Sequence, residues 1–213
     1  MKKFELTSET KINIFGKKLF RIKALVSFGV VKTGETGGWV EKEENVNQSG
    51  DAWVFGNAEV FGNARVSGDA WVFGNARVSG DAWVSGDAEV SGNAEVFGNA
   101  RVSGDAWVSG NARVSGDAEV FGNARVSGNA RVFGNAEVFG NADYTTIHGF
   151  GTQFRTTTFF RCKDKQVKVS CGCFYGTIPE FREQVKNTRD GKIAEEYLMI
   201  ADLMEKHFAE EAK

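Results

Sequence analysis

Ala52-Trp53-Val54-Phe55-Gly56-Asn57, Ala58-Glu59-Val60-Phe61-Gly62-Asn63 and Ala64-Arg65-Val66-Ser67-Gly68-Asp69 are three consecutive six-residue units, and the same unit repeats without a gap to Asn141. Each reads Ala-x-Val-[Ser/Phe]-Gly-[Asn/Asp] with Glu, Arg or Trp at x, and fifteen copies place Val at one phase from Val54 to Val138. Ala and Val stand two apart, so in an extended strand they share one face, while x and the residue after Val point the other way. Gly then accepts positive φ at no steric cost, and Asn or Asp tolerates the left-handed region better than other residues. A short strand followed by a two-residue turn, repeated, is a coil of short parallel strands. The alternatives fail: a Gly in every hexad would cost a helix about 1 kcal/mol each, a disordered tract would not hold Val at one phase, and collagen requires Gly at every third position.

The units Ala58, Val60 and Asn63 resemble the small-x-aliphatic-small-x-x pattern of the hexapeptide-repeat family, which folds as a left-handed parallel β-helix. One departure is Phe where that pattern has a small residue, at Phe55, Phe61, Phe73, Phe97, Phe121, Phe133 and Phe139. The resemblance implies three hexads per triangular coil, hence five coils in residues 52–141 and a prism roughly 24 Å tall at the usual strand spacing. It also implies a handedness that departs from the right-handed rule for parallel connections.

Three hexads per coil assign every outward residue to a face. The first face carries Trp53, Trp71, Glu89, Trp107 and Arg125, the second Glu59, Arg77, Glu95, Arg113 and Arg131, and the third Arg65, Trp83, Arg101, Glu119 and Glu137. The second face alternates charge, so neighbouring rungs pair opposite signs at roughly 0.2–1 kcal/mol each. Trp53, Phe55, Trp71 and Phe73 form an aromatic patch near the first coil, and Phe121 with Phe139 a smaller one near the last; Trp83 and Trp107 add further exposed rings. Such patches mark interfaces. Three readings stay open for them: cover by the terminal segments, self-association, or an external partner.

The flanks break the period. Lys11–Phe15 and Lys18–Leu25 read as a hairpin around Gly16-Lys17, and Gly37-Gly38-Trp39-Val40 as a degenerate rung with Val46 one period on. Residues 1–51 are thus an N-terminal β cap over the open Val/Ala end. Residues 52–143 are the solenoid, and residues 144–213 a small α+β unit. In that unit Thr156–Cys162 and Val167–Cys173 form a hairpin turning at Asp164-Lys165, with Phe160, Cys162, Val167, Val169, Cys171 and Cys173 expected on one face. Thr177-Ile178-Pro179-Glu180 is a capping box that starts a helix. A second helix from about Lys192 carries the apolar stripe Ile193, Tyr197, Ile200, Met204 and Phe208.

Composition narrows function. The 213 residues carry net charge −2, and residues 52–141 hold six Arg against five Glu and five Asp, which argues against a nucleic-acid partner. No apolar run reaches the roughly 18 residues of a membrane span. The N-terminus lacks an apolar signal core, and three Cys fit no disulfide framework, so a cytoplasmic chain with reduced thiols is expected. Outward Arg, Glu and Trp also differ from the flat Thr arrays of ice-binding β-helices. Cys162, Cys171 and Cys173, with His148 or His207, have the chemistry of a zinc site, but no CxxC pair is present and buried Cys behaves as a small hydrophobe; no metal is expected. Many hexapeptide-repeat proteins are acyltransferases that work at a cleft between trimer subunits with a His base. Here residues 52–141 contain neither His nor loop insertion, and His148, just after the last rung, is the one candidate base.

A closer resemblance lies in the flanks. Leu19–Leu25, Phe28-Gly29, Val31-Lys32-Thr33-Gly34 and Gly37–Asn45, together with Thr157–Phe160 and Val169–Thr177, resemble bacterial and prophage β-helix proteins often labelled acetyltransferases without demonstrated activity. That resemblance implies a bacterial or phage setting and trimerisation, and supplies no catalytic residue. The reading is therefore a non-catalytic oligomeric scaffold or binding module of phage or prophage origin. Its expected partners are a second copy and a host protein or small molecule, with a counter-defence role as one form of that binding, and it needs no cofactor. The alternative is an acyltransferase using acyl-CoA.

Overall fold

The computed structural model describes residues 2–209. It is a mainly β protein in which a parallel β-solenoid lies between an N-terminal antiparallel meander and a C-terminal unit of four strands and two helices. The meander is β1 (Phe4–Ile12), β2 (Lys18–Ala24) and β3 (Thr36–Val40). Fifteen two-residue strands follow at six-residue intervals, from β4 (Trp53–Val54), β5 (Glu59–Val60) and β6 (Arg65–Val66) to β18 (Glu137–Val138). Every one consists of an x residue and its Val.

Each strand pairs in parallel with the strand 18 residues away, as Trp53 with Trp71 and Glu59 with Arg77. Three hexads therefore make one coil, and the three sheets carry the outward residues assigned from the sequence. All fifteen Val from Val54 to Val138 are buried, as are the Ala two residues before them. Backbone N–H groups of one coil donate to carbonyls of the next at about the ordinary distance, for example Glu95 N to Ala112 O at 2.9 Å. Gly at the turns is required twice over. Gly98 has φ of +73°, and a Cβ built there would stand 3.0 Å from the Gly116 nitrogen, so successive turns stack backbone on backbone.

The degenerate rung is real. Trp39 and Val40 pair in parallel with Glu59 and Val60, and Val46 bridges Val66, adding most of a sixth coil. The offset there is 20 residues rather than 18, so two extra residues lie between Val46 and Val54. The hairpin expected around Gly16-Lys17 is present with a longer first strand: β1 runs back to Phe4, and Asn13 and Lys17 close the turn. Ile12, Ile14 and Phe15 at its tip are exposed.

Both open ends of the solenoid are closed by groups standing in for the missing next coil, because unpaired backbone at a buried edge is costly. At the N-terminal end the Lys3 Nζ donates to the Gly50 and Ala52 carbonyls at 3.0 and 2.9 Å. Asn45 Nδ2 donates to the Gly62 and Ala64 carbonyls. Burial depresses the Lys3 pKa from 10.5 to about 8, against the opposing pull of Asp51 and Asp69. At the C-terminal end the Arg125 N–H donates to Asn141, the Tyr144 hydroxyl donates to the Arg125 carbonyl, and the Arg131 N–H donates to the Thr158 hydroxyl.

The C-terminal sheet is β19 (Tyr144–Phe150), β20 (Arg155–Arg161), β21 (Val167–Cys171) and β22 (Phe174–Thr177), antiparallel in that order. The hairpin turns at Asp164-Lys165, with Lys165 at φ of +62°. Its register differs from the expected one. Phe159 stands opposite Val169, and Phe160 opposite Lys168. Phe159 and Val169 therefore face the helices, while Phe160 and Cys162 lie on the other side and join the solenoid core. The expected single face of Phe160, Cys162, Val167, Val169, Cys171 and Cys173 is thus two faces, and Cys173 lies beyond the strand and is exposed. The reason is that β20 is covered on both sides, so its apolar residues do not alternate.

The helices are α1 (Ile178–Thr188) and α2 (Gly191–Phe208). Thr177 caps α1 with Glu180 in the anticipated box, the Thr177 N–H donating to Glu180 Oε2 at 2.7 Å. Tyr197, Ile200, Met204 and Phe208 are buried in the helix–sheet core, with Ile193 packed at its margin. Arg182 of α1 ties the two helices through Asp202 and Glu205. No helix among the described residues is long and apolar enough to cross a membrane.

Candidate functional site

The aromatic patch of the first face is largely covered. Trp53 is fully buried, enclosed by Phe4 of β1 and Phe28 at ring-centroid distances of 5.8 and 5.3 Å. Its expected place on a binding surface is thereby corrected: an outward position became a core position when the N-terminal strand folded over it. Phe55 is half-buried against the core and meets Trp71 edge to face at 5.7 Å, and Phe73 is also half-buried.

Trp83 and Trp107 remain outward, with 44 % and 38 % of their surface exposed. Neither is free to rotate without loss. The Trp83 indole N–H donates to Ser67 Oγ at 3.1 Å. The Trp107 indole N–H donates to Glu89 on the rung below, and the Arg125 guanidinium lies 5.4 Å from the Trp107 ring. Stacking at 18-residue spacing brings these groups together, each ring held by a neighbour one coil away.

On the second face the alternating charges meet as expected. Glu95 bridges Arg77 at 3.5 Å and Arg113 at 2.5 Å, and Glu59 takes Lys11 at 2.8 Å. The alternation ends with Arg113 and Arg131 on adjacent rungs.

Arg131 instead lines a cavity of about 640 Å³ at the junction of the solenoid and the C-terminal sheet, with His148, Phe154, Arg155 and Cys173. His148 lies on β19 with its Nδ1 3.2 Å from Thr156 Oγ1. Arg155 Nη2 donates to Gln153 Oε1 at 2.7 Å. The Arg155 guanidinium also lies against Gly172, where a Cβ would come within 2.4 Å of Nη1. A second cavity of about 380 Å³ shares Arg155 and Cys173 and adds Gln184, Arg189 and Tyr197. No carboxylate lines either one.

The three cysteines are separated by the two-sided strand. Cys162 sits in the solenoid core, where burial and Asp164 push its thiol up to about 11. Cys171 packs under the helices and receives the Thr157 hydroxyl at 3.2 Å. Cys173 lies at the cleft. His207 sits in the last turn of α2, beside the Phe208 ring. Among the described residues no group of three or more His, Cys, Asp or Glu is placed to hold a metal. The cleft of Arg131, His148, Phe154 and Arg155 was not legible from the sequence as a unit; only His148 carried a signal.

No curated protein matches the chain. A family model described as the YdcK beta solenoid repeat matches residues 70–86, 94–110, 118–134 and 124–142, all within the solenoid segment 52–143. The repeats of this chain are β-solenoid repeats similar to those of that family.

Proposed function

We propose that the protein is a non-catalytic, oligomeric β-solenoid scaffold or binding module that presents fixed aromatic and charged faces to a partner. The observation that carries this reading is the immobilisation of Trp83 and Trp107, exposed rings held by indole hydrogen bonds on a rigid stack. Aromatic anchors ordered before binding lose little entropy on association and dominate interface energies. The resemblance of the flanks to prophage β-helix proteins supports a bacterial or phage setting, a trimer, and a host protein or small molecule as partner. Of the two tryptophan sets, Trp83 and Trp107 are the ones to vary, because Trp53→Ala would test folding rather than binding. The experiment is a pull-down from bacterial lysate with the wild type and a Trp83→Ala/Trp107→Ala variant. Loss of a specific captured protein in the variant supports the reading, and identical capture by both contradicts it. Light scattering tests the trimer; a single 23.3 kDa chain at micromolar concentration contradicts it.

A second reading, an acyltransferase using acyl-CoA, is favoured by the place of His148 in an open cavity beside Arg131 and Arg155. In it, the imidazole nitrogen not engaged by Thr156 is the base that accepts a proton from the acceptor nucleophile. Acetyl transfer from acetyl-CoA that disappears in His148→Ala would replace the scaffold reading.

A further inference from the structure

Three features where the solenoid meets the C-terminal unit converge. The first is charge. Arg131 and Arg155 both line the 640 Å³ cavity and Arg189 lines its neighbour, with no carboxylate in either lining. In a chain whose acidic residues outnumber its basic ones, such a one-sign concavity focuses positive potential. None of these three arginines forms an ion pair with a carboxylate among the described residues, whereas Arg77, Arg113, Arg161 and Arg182 do. Arg131 owes this to its rung: it stacks on Arg113, whose guanidinium is already committed to Glu95.

The second feature is construction. Gly172, at φ of +62°, leaves its Cβ space to Arg155. With one nitrogen held by Gln153, the guanidinium is oriented while its other donors stay available. Guanidinium forks match phosphate oxygens in geometry as well as charge.

The third is Phe154. It lines the same cavity, is 65 % exposed, and has φ of +47°. A bulky side chain in the left-handed region is uncommon, and such strain concentrates at functional sites. An exposed aromatic ring beside arginines is the arrangement that stacks a flat ring while its phosphates are held. The cavity volume lies within the usual range of small-molecule sites.

We propose that this cleft binds a nucleotide, with Arg131 and Arg155 holding the phosphates and Phe154 stacking on the base. The site does not depend on the aromatic faces or on any catalysis. Its test is calorimetric titration of the full chain with three probes: ADP, inorganic pyrophosphate and adenosine. The expected result is saturable ADP binding, weaker pyrophosphate binding and no detectable adenosine binding. Arg155→Ala should weaken both phosphate probes by about tenfold or more, as expected for a lost charge-assisted contact. Phe154→Ala should weaken ADP severalfold and leave pyrophosphate unchanged. Arg131→Ala lies on a solenoid rung outside the C-terminal unit, so its parallel loss of affinity separates a missing contact from a disturbed unit. Arg101→Ala, on the third face, should bind as wild type. Absence of saturable ADP binding up to millimolar concentration overturns the proposal. So does ADP affinity unchanged in both arginine variants. Equal affinity for ADP and pyrophosphate, insensitive to Phe154→Ala, overturns the nucleotide assignment. Each of these outcomes is independent of whether Trp83→Ala/Trp107→Ala changes protein capture.

Discussion

Phe159 and Phe160 are neighbours on β20, yet each belongs to a different core, and replacing them one at a time should unfold different parts of the molecule. Phe160 is fully buried among solenoid residues, its ring 6.0 Å from Phe133 and 6.3 Å from Tyr175. Removing a ring that buries about 150–200 Å² forfeits roughly 4–5 kcal/mol at 25 cal/mol per Å². That agrees with the about 3–5 kcal/mol typical of Phe→Ala in cores. In a solenoid each coil contacts only its neighbours, so the loss is felt first at the last coil rather than spread over the stack. Ser115 and Phe121 report on it directly, because their N–H groups donate to the Val132 and Val138 carbonyls of that coil. Urea unfolding combined with amide hydrogen exchange is the assay. Phe160→Ala should lower protection at Ser115 and Phe121 by about 3 kcal/mol or more, with Ser79 and Phe61 little changed. Phe159→Ala, whose ring lies 6.2 Å from Phe181, should instead expose α1 and α2 amides. If Phe160→Ala costs under about 1 kcal/mol, or loosens the helices more than the last coil, the assignment of this strand as a two-sided plug is wrong.

Gly98→Ala and Gly128→Ala form a matched pair: both glycines have positive φ, but only Gly98 has a stacked turn within contact distance. Both should lose about 1 kcal/mol for the left-handed backbone, with Gly98→Ala measurably worse in thermal melts; equal losses would remove the role assigned to turn-on-turn contact. Glu95→Gln should cost about 0.5–1 kcal/mol at low ionic strength, because Glu95 holds two arginines on a partly exposed face, and the loss should shrink in 1 M salt. Lys3 makes stability depend on pH. Its folded pKa of about 8 lies below the unfolded 10.5, so between those values Lys3 adds a rise of stability with pH, which the Cys162 thiol, raised from 9.0 to about 11, opposes above pH 9. Lys3→Met should flatten that rise in denaturant titrations from pH 8 to 10.5; an unchanged slope would assign the effect elsewhere.

The solenoid was readable because one phase repeats and the coil length follows once the strands stack by threes. The interior Val and Ala, the outward ladders and the Thr177 cap all follow from local chemistry of that kind. What escaped depends on chain crossings. Trp53 occupies an outward position by period, but Phe4 lies nearly fifty residues earlier, and nothing local says that β1 closes over it. Arg155–Arg161 reads Arg-Thr-Thr-Thr-Phe-Phe-Arg, which does not alternate. A strand covered on both faces offers no pattern to set its register, and a one-residue slip moved Phe160 and Cys162 to the wrong side. Arg131, His148, Phe154 and Arg155 meet because a regular rung ends beneath the C-terminal sheet, and apart from His148 each looks ordinary where it stands in the chain.

The 18-residue stacking rule has a consequence for the gene. Near-identical hexads make tandem coding repeats, which copying errors lengthen and shorten. Gain or loss of 18 residues lets every rung find an equivalent neighbour and moves the two ends apart or together by about 4.8 Å. A change of six or twelve residues keeps the donations from Lys163 to Asn135 and from Arg131 to Thr158, which lie between the last coil and the unit packed on it, but turns that unit to a different side of the triangle relative to the N-terminal hairpin. Only whole-coil steps therefore change the length without changing how the two ends face one another. The spacing between the N-terminal hairpin and the cationic cleft is a graduated scale that mutation can reset without redesigning either end.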